Sequence, residues 1–120
     1  MESLLILKPH AVADGKHREF VKFLASKDLK IKDMKFFCGA HKESLELYQE
    51  HREKDWFGDL IEMMSRGYWI AYKVVGKSVE EIRETALEFR YKYQVDATNN
   101  VIHASDNEEK AKRELSILKF

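Results

Sequence analysis

The sequence predicts an α+β fold in which helices pack on the faces of one four-stranded antiparallel sheet. Four short apolar or alternating segments are typical of strands, and amphipathic segments with helical spacing separate them. The chain of 120 residues is long enough to form one core, so a single domain over residues 1–120 is expected. Its 21 basic and 21 acidic residues balance, which argues against a general affinity for nucleic acid.

The first third of the chain contains two predicted strands and one predicted helix. Residues 4–7 are consecutive aliphatics, typical of a strand buried on both faces, and Pro9 ends that strand because it lacks an amide donor. Residues 14–26 have the spacing of an amphipathic helix. Residues 29–38 form the second strand, in which a change of phase predicts a bulge or a bend. The residues expected to face inward are Leu29, Ile31, Met34, Phe36 and Cys38.

The rest of the chain repeats the strand–helix–strand pattern after a pair of helices. Further helices are expected at residues 43–51, 56–65, 79–86 and 107–115, and further strands at residues 68–75 and 101–103. Ser105 and Asp106 each begin a capping-box pattern, with Glu108 and Glu109, and are expected to cap the last helix. This order of elements is typical of a ferredoxin-like βαββαβ fold, an architecture that hosts many functions.

Two residues at predicted strand ends could carry chemistry. His103 follows an apolar pair and precedes a helix start, where backbone amides and the helix dipole favour anions. Taken alone, this position also suits a packed or solvated histidine. Lys8 ends the first strand, where a buried cation would be costly without an anionic partner. The alternative is that its ammonium group simply reaches solvent.

Three segments, taken together, resemble nucleoside diphosphate kinases. Residues 5–12 read L-I-L-K-P-H-A-V, and residues 100–106 read N-V-I-H-A-S-D. Between them, the segments L-Y-Q-E-H and W-F-G-D-L, at residues 47–51 and 56–60, match the family's middle region in the same order. The resemblance covers nearly the whole chain. It is closest to a short form, as in viral members, that lacks most of the family's surface loop before the active-site strand.

The resemblance implies a two-step phosphoryl transfer with ping-pong kinetics. His103 would take the γ-phosphoryl group from a nucleoside triphosphate and pass it to a nucleoside diphosphate. Glu114, eleven positions after His103, would orient the imidazole, and Ser105 would hold that glutamate. Lys8 would contact the transferred group, and the Tyr48 hydroxyl would lie beside the histidine.

The resemblance also implies a nucleotide-binding set with broad base specificity. Trp56 would stack on the base, since every base has a π-surface, with Leu60 close by; the alternative is that Trp56 is ordinary core. Two arginines would bind phosphate, although without the resemblance they would be interpreted as surface residues. The full set comprises Lys8, Trp56, Leu60, Arg83, Thr85, Arg90 and Asn100, with Thr85 standing in for a phosphate-contacting threonine and Asn100 bonding the ribose.

The same resemblance implies partners and a cofactor. Mg²⁺ is expected to arrive with the nucleotide, held by phosphates and water rather than by protein ligands. The expected substrates are ATP, other nucleoside triphosphates, and ribo- and deoxyribonucleoside diphosphates. A cytoplasmic homo-oligomer without nucleic-acid or membrane partners is expected, and Cys38, the one cysteine, is expected to be inert core. The shortened loop leaves a catalytically weak nucleotide-binding or regulatory relative as the alternative. Apart from the resemblance, an RNA-binding or ligand-sensing module is the other candidate.

Overall fold

The computed structural model describes residues 1–93 and 102–120, and within them a four-stranded sheet flanked by helices. The strands are β1 (Glu2–Leu7), β2 (Lys30–Cys38), β3 (Tyr68–Val75) and β4 (Ile102–Ala104). The helices are α1 (Pro9–Ala13), α2 (His17–Ser26), α3 (His41–Tyr48), α4 (Phe57–Arg66), α5 (Val79–Tyr93) and α6 (Glu108–Ile117). A single 3-10 turn, Gln49–His51, follows α3.

The sheet has the strand order β2-β3-β1-β4, and all neighbours are antiparallel. The α+β, ferredoxin-like prediction is therefore confirmed. The two central strands are the most apolar ones, because they are covered on both faces: Leu4–Leu7 of β1 are fully buried. In the pairing of β1 with β4, Ile6 lies opposite His103. The start of the predicted fourth strand, Val101, lies outside the described residues.

The sheet separates two apolar cores, one on each face. The alternation of β1 side chains sends Leu5 and Leu7 to the first core and Leu4 and Ile6 to the second. Helices α2 and α5 cover the first core, and α3, α4 and α6 cover the second. No helix in residues 1–93 or 102–120 is long and apolar enough to cross a membrane.

The bulge predicted in β2 is present, but the residues after it are exposed where the prediction has them buried. The register shifts between Ile31 and Asp33, and Phe37 then stacks on Trp69 at 4.3 Å between ring centroids. Met34, Phe36 and Cys38 keep the face of Ile31, as predicted, because they pair with the β3 residues on the face of Val74. They are nevertheless exposed rather than buried. The physical reason is that β2 is an edge strand whose outer end lies beyond the layer formed by α2 and α5.

Helix starts also differ from the prediction at three places. Pro9 not only ends β1 but occupies the first turn of α1, where its missing amide is not needed. The segment predicted as one helix over residues 14–26 begins as a turn, in which Gly15 takes a positive φ of 73°, before α2 starts. At α6, Asn107 is the cap: its side chain accepts from the Lys110 amide. Neither Ser105 nor Asp106 caps the helix.

Candidate active site

His103 is held by a buried carboxylate on the last helix. Directly opposed residues of antiparallel strands share a face, so the pairing with Ile6 turns His103 towards the second core, where α3 and α6 lie. There its Nε2 lies 2.7 Å from Oε1 of Glu114, and the Ser105 hydroxyl donates to the same oxygen at 2.8 Å. The engagement of Nε2 leaves Nδ1 as the ring nitrogen with which a substrate could react.

Glu114 is suited to orient the imidazole because it remains ionised in a buried position. Its side chain is only 2% exposed, and burial raises the pKa of this carboxyl. The hydrogen bonds and charge of His103, together with the Ser105 hydroxyl, outweigh burial and leave the pKa of Glu114 below its usual value. An ionised Glu114 accepts from the ring and from Ser105 at the same time.

Tyr48, at the end of α3, lies edge-on to the histidine. The two ring centroids are 5.4 Å apart at an angle of 88°. The buried Tyr48 hydroxyl has no hydrogen-bond partner within residues 1–93 and 102–120. Burial, and then the charge of Glu114, raise the pKa of Tyr48 against the opposing effect of Arg90, so the phenol stays neutral. An unsatisfied buried hydroxyl costs roughly 1–3 kcal/mol, so we interpret it as a donor that awaits an acceptor.

Two buried cationic groups adjoin the same place. Lys8 follows β1 in extended backbone and is 4% exposed, with its ammonium 5.9 Å from the centre of the Tyr48 ring. Burial, assisted by the positive charge of Arg90, lowers the pKa of Lys8 to about 7. The Arg90 Nε is also buried, with no partner among the described residues. Groups of this kind are costly unless an anion joins them, so the site is prepared for an anionic ligand.

Arg83 belongs to a separate ionic group at the edge of the site. Its Nε lies 3.3 Å from Oδ1 of Asp106, the residue after Ser105. The second oxygen of Asp106 lies 3.2 Å from Lys110, which also contacts Glu50 at 3.2 Å. Burial raises the pKa of Asp106, but the hydrogen bonds and charges of Lys110 and Arg83 lower it by more, so the pKa lies below its usual value. This group was not predicted from the sequence, although the spacing of Asp106 and Lys110 by four positions was a usable signal.

The other residues of the predicted nucleotide-binding set do not all lie near His103. Trp56 is half-buried just before α4, with its ring 5.2 Å from that of His51, whereas Leu60 is 2% exposed and belongs to the second core. The Thr85 hydroxyl donates to the Glu81 carbonyl within α5. Thr85 is two positions from Arg83, about 200° around a helix, so the structure does not bring it to the phosphate-facing side. Asn100 lies outside the described residues.

Fold and site together define a class of protein. It is a ferredoxin-like α+β protein in which a carboxylate-oriented histidine and a buried lysine both adjoin Tyr48, an arrangement suited to an anionic substrate. A family model described as nucleoside diphosphate kinase matches residues 1–119, and the chain belongs to that family.

Individual relatives agree with this assignment. The chain is 31% identical to a nucleoside diphosphate kinase of Archaeoglobus fulgidus over 126 residues, covering 96% of this chain and 83% of the relative. It is 33% identical to that of Pyrococcus horikoshii over 129 residues, covering 96% and 82%. The Aquifex aeolicus enzyme structure superimposes with a TM-score of 0.83 at 29% identity, covering 98% of this chain and 93% of that one. A Halobacterium salinarum enzyme in complex with CDP gives 0.86 at 25% identity, covering 98% and 86%.

Proposed function

We propose that residues 1–120 form one catalytic domain that transfers the γ-phosphoryl group of a nucleoside triphosphate to a nucleoside diphosphate through phosphorylated His103. The observation that carries this proposal is the group formed by His103, Glu114 and Ser105, placed beside buried cations that have no acidic partner among the described residues. A nucleotide with a terminal phosphate supplies the missing negative charge.

In the first half-reaction, the lone pair of His103 Nδ1 forms a bond to the γ-phosphorus. The bond from that phosphorus to the β–γ bridging oxygen breaks, and the nucleoside diphosphate leaves with the electron pair. The proton on Nε2 stays hydrogen-bonded to Glu114, which stabilises the positive charge that develops on the ring. The second half-reaction is the reverse, with a terminal phosphate oxygen of a new diphosphate as the nucleophile.

The residues around His103 stabilise charge on the transferred group. Phosphoryl transfer depends mainly on positioning and on electrostatic stabilisation. Lys8 and Arg90 face the phosphoryl group, the neutral Tyr48 hydroxyl donates to one of its oxygens, and Arg83 binds the rest of the phosphate chain. The burial of Lys8 and Tyr48 supports these roles, because interactions between charges are stronger away from water.

The nucleoside is bound mainly through its base and ribose. Trp56 provides a flat surface that any base can stack on, so ribo- and deoxyribonucleotides of every base are expected substrates. Leu60 supports this residue from the second core, and Asn100 bonds the ribose. Thr85 is not included in the proposed phosphate contacts, because its hydroxyl is bonded within α5.

Mg²⁺ enters this proposal as part of the nucleotide complex. No group of three or more His, Cys, Asp or Glu residues that could hold a metal is found in the described part of the chain. Asp106, the acidic residue beside Ser105, is already engaged by two cations. Phosphate oxygens and water are therefore the ligands that fit, and the ion would neutralise part of the phosphate charge.

We also propose a cytoplasmic location and a homo-oligomeric assembly. The exposed free thiol of Cys38 is compatible with a reducing compartment. The assembly is supported by the side of the sheet that ends in β2, where Met34 and Phe36 of β2 and the neighbouring Tyr68 of β3 are all more than half exposed. Exposed apolar side chains on a sheet edge favour pairing with a second copy.

The direct test is labelling with γ-labelled ATP. We expect an acid-labile, alkali-stable label on the wild-type protein, and GDP should discharge it. His103→Ala should fold normally and take no label, whereas His10→Ala, which changes an exposed histidine, should label like the wild type. Turnover retained in His103→Ala would rule out the mechanism. Nucleotide binding without any labelling of the wild type would instead indicate the catalytically weak relative.

A further inference from the structure

Four charged side chains form a continuous line along one edge of the candidate site. Arg83 contacts Asp106, Asp106 contacts Lys110, and Lys110 contacts Glu50, with nitrogen–oxygen distances of 3.3, 3.2 and 3.2 Å. The two cations bind different oxygens of Asp106, Oδ1 for Arg83 and Oδ2 for Lys110. We call this line the ionic bridge. It connects α5, the turn between β4 and α6, and the 3-10 turn after α3.

Lys110 lies where a positive charge is unfavourable for its own helix, so its stabilising contacts must come from residues outside α6. It is the third residue of α6, in the first turn, where the helix dipole favours acidic rather than basic side chains. Two carboxylates from other segments offset this disadvantage, one from Asp106 and one from Glu50. Hydrogen bonds to Glu50 and Asp106 raise the pKa of Lys110, so the side chain stays charged.

The ionic bridge joins the two segments that carry the proposed reactive and base-stacking groups. Asp106 lies three positions after His103 in the β4–α6 turn. Glu50 lies in the segment of residues 49–56, which joins α3 to α4 and ends at Trp56; we call it the connecting segment. Arg113 donates to the Glu46 carbonyl and so fixes α3 to α6 just before this segment begins. Lys110 is placed to fix the segment itself.

We infer that Lys110 is a positioning residue that ties the connecting segment to the β4–α6 turn and fixes the Asp106 carboxylate that holds Arg83. This inference rests on the proposed function, since the groups being positioned are those that would bind nucleotide. Lys110 itself need not touch the substrate. Its removal frees one oxygen of Glu50 and one of Asp106, and leaves Glu50, among the described residues, with only the contact to the neighbouring His51 at 3.6 Å. Both the base platform and the phosphate-binding arginine are then loosened.

The expected effect is moderate and falls on binding rather than on chemistry. Contacts between partly exposed charges contribute little one by one, and they weaken as salt increases. A residue that positions the nucleotide before reaction changes KM more than kcat. We therefore expect a rise of about five-fold in KM for the nucleoside diphosphate on losing Lys110, with kcat nearly unchanged.

The test compares Lys110→Met with Lys112→Met, which removes an exposed lysine from the same helix. Lys110→Arg is the conservative variant, because it keeps a cation able to reach two carboxylates. For each protein, ADP affinity is measured by calorimetry at low and high salt, steady-state kinetics give KM and kcat, and amide hydrogen exchange is followed over residues 49–56. We expect Lys110→Met alone to weaken ADP binding about five-fold at low salt and to speed exchange in this segment. Lys110→Arg should restore both.

The outcomes separate this inference from the proposed function. Equal ADP affinity and equal exchange in the two methionine variants would overturn the inference while leaving phosphoryl transfer by the wild type intact. Faster exchange in Lys110→Met without weaker ADP binding would also overturn it, because the contact would then be structural only. A wild-type protein that neither binds ADP nor transfers phosphoryl groups would refute the proposed function, and the positioning role with it.

Discussion

Several residues at the candidate site are buried in ways that lower the stability of the folded protein. A buried ammonium, a buried phenol without a hydrogen bond and a buried guanidinium nitrogen lie around one oriented imidazole. Each of these groups would be better solvated in water, so the folded protein retains them at the expense of stability. A terminal phosphate would satisfy all three, which is why Lys8, Tyr48 and Arg90 are best understood as one anion-binding group.

Lys8 makes the site sensitive to pH in a direction that can be worked out. Above about pH 7 the free protein releases the Lys8 proton, whereas an anionic nucleotide binds best to the charged form. ADP affinity should therefore fall by up to about ten-fold per pH unit above pH 7, with proton uptake on binding. Calorimetry in buffers of different ionisation enthalpy measures both effects. Lys8→Met should show neither, and flat wild-type affinity from pH 7 to about pH 9 would contradict contact between Lys8 and phosphate.

The same residue affects the free energy of unfolding without ligand. Between about pH 7 and the ordinary lysine value of 10.5, the unfolded chain keeps a proton on Lys8 that the folded protein has released. The unfolded state then binds more protons, so the stability contributed by this group rises with pH across that interval. Below about pH 7 the charged, buried ammonium is destabilising. Lys8→Met should remove this rise in denaturant titrations.

At the scale of helices and strands, local sequence patterns predict the elements better than their ends and faces. Strand β1 was predictable because four consecutive aliphatics fit only a fully buried segment. The start of α6 was not, because three adjacent residues can all cap a helix. Ser105 bonds Glu114 and Asp106 bonds Arg83, so the cap is left to Asn107. Tertiary partners decided the outcome, and these are not visible in a local motif.

Contacts between residues far apart in the sequence are equally invisible to local motifs. The link from His103 to Glu114 was anticipated because a family resemblance supplied the spacing of eleven positions, and the geometry agrees. The contact of Lys110 with Glu50 joins positions sixty apart, and no motif or periodicity connects them. The burial of β2 was mispredicted for a related reason, since it depends on which helices reach the sheet edge.

The connecting segment provides a prediction at the scale of an element, through Trp56. Trp56→Ala should raise KM for nucleotides about ten-fold with a smaller effect on kcat, because stacking on a base contributes roughly 1–3 kcal/mol. Trp56→Phe keeps an aromatic face and should retain most of the affinity. Steady-state kinetics with several nucleoside diphosphates measure this effect, and the fluorescence of Trp69, fully buried in the second core, reports that the fold is intact. An unchanged KM in Trp56→Ala would identify Trp56 as a packing residue.

In the whole molecule the candidate site and an exposed sheet edge lie apart. The candidate site lies where β1 and β4 meet α3 and α6, while β2 lies at the opposite edge of the sheet. Phe36 on β2 is 60% exposed and packs only loosely, with its ring 5.9 Å from that of Tyr68 on β3. The chain carries no net charge that would keep copies apart. These features favour self-association through β2, away from the histidine.

A lysine at Phe36 tests this arrangement. In Phe36→Lys the added charge would be buried between copies, so we expect the assembly to dissociate to the 14.2 kDa chain mass, measured by sedimentation velocity. Val21→Lys, which changes an exposed apolar residue on α2, should leave the wild-type mass unchanged. Because Glu114 and Ser105, which hold His103, belong to the same chain, His103 labelling should persist in the dissociated protein. A wild type that sediments at the chain mass, or a Phe36→Lys variant that remains assembled, would show that copies do not associate through this edge.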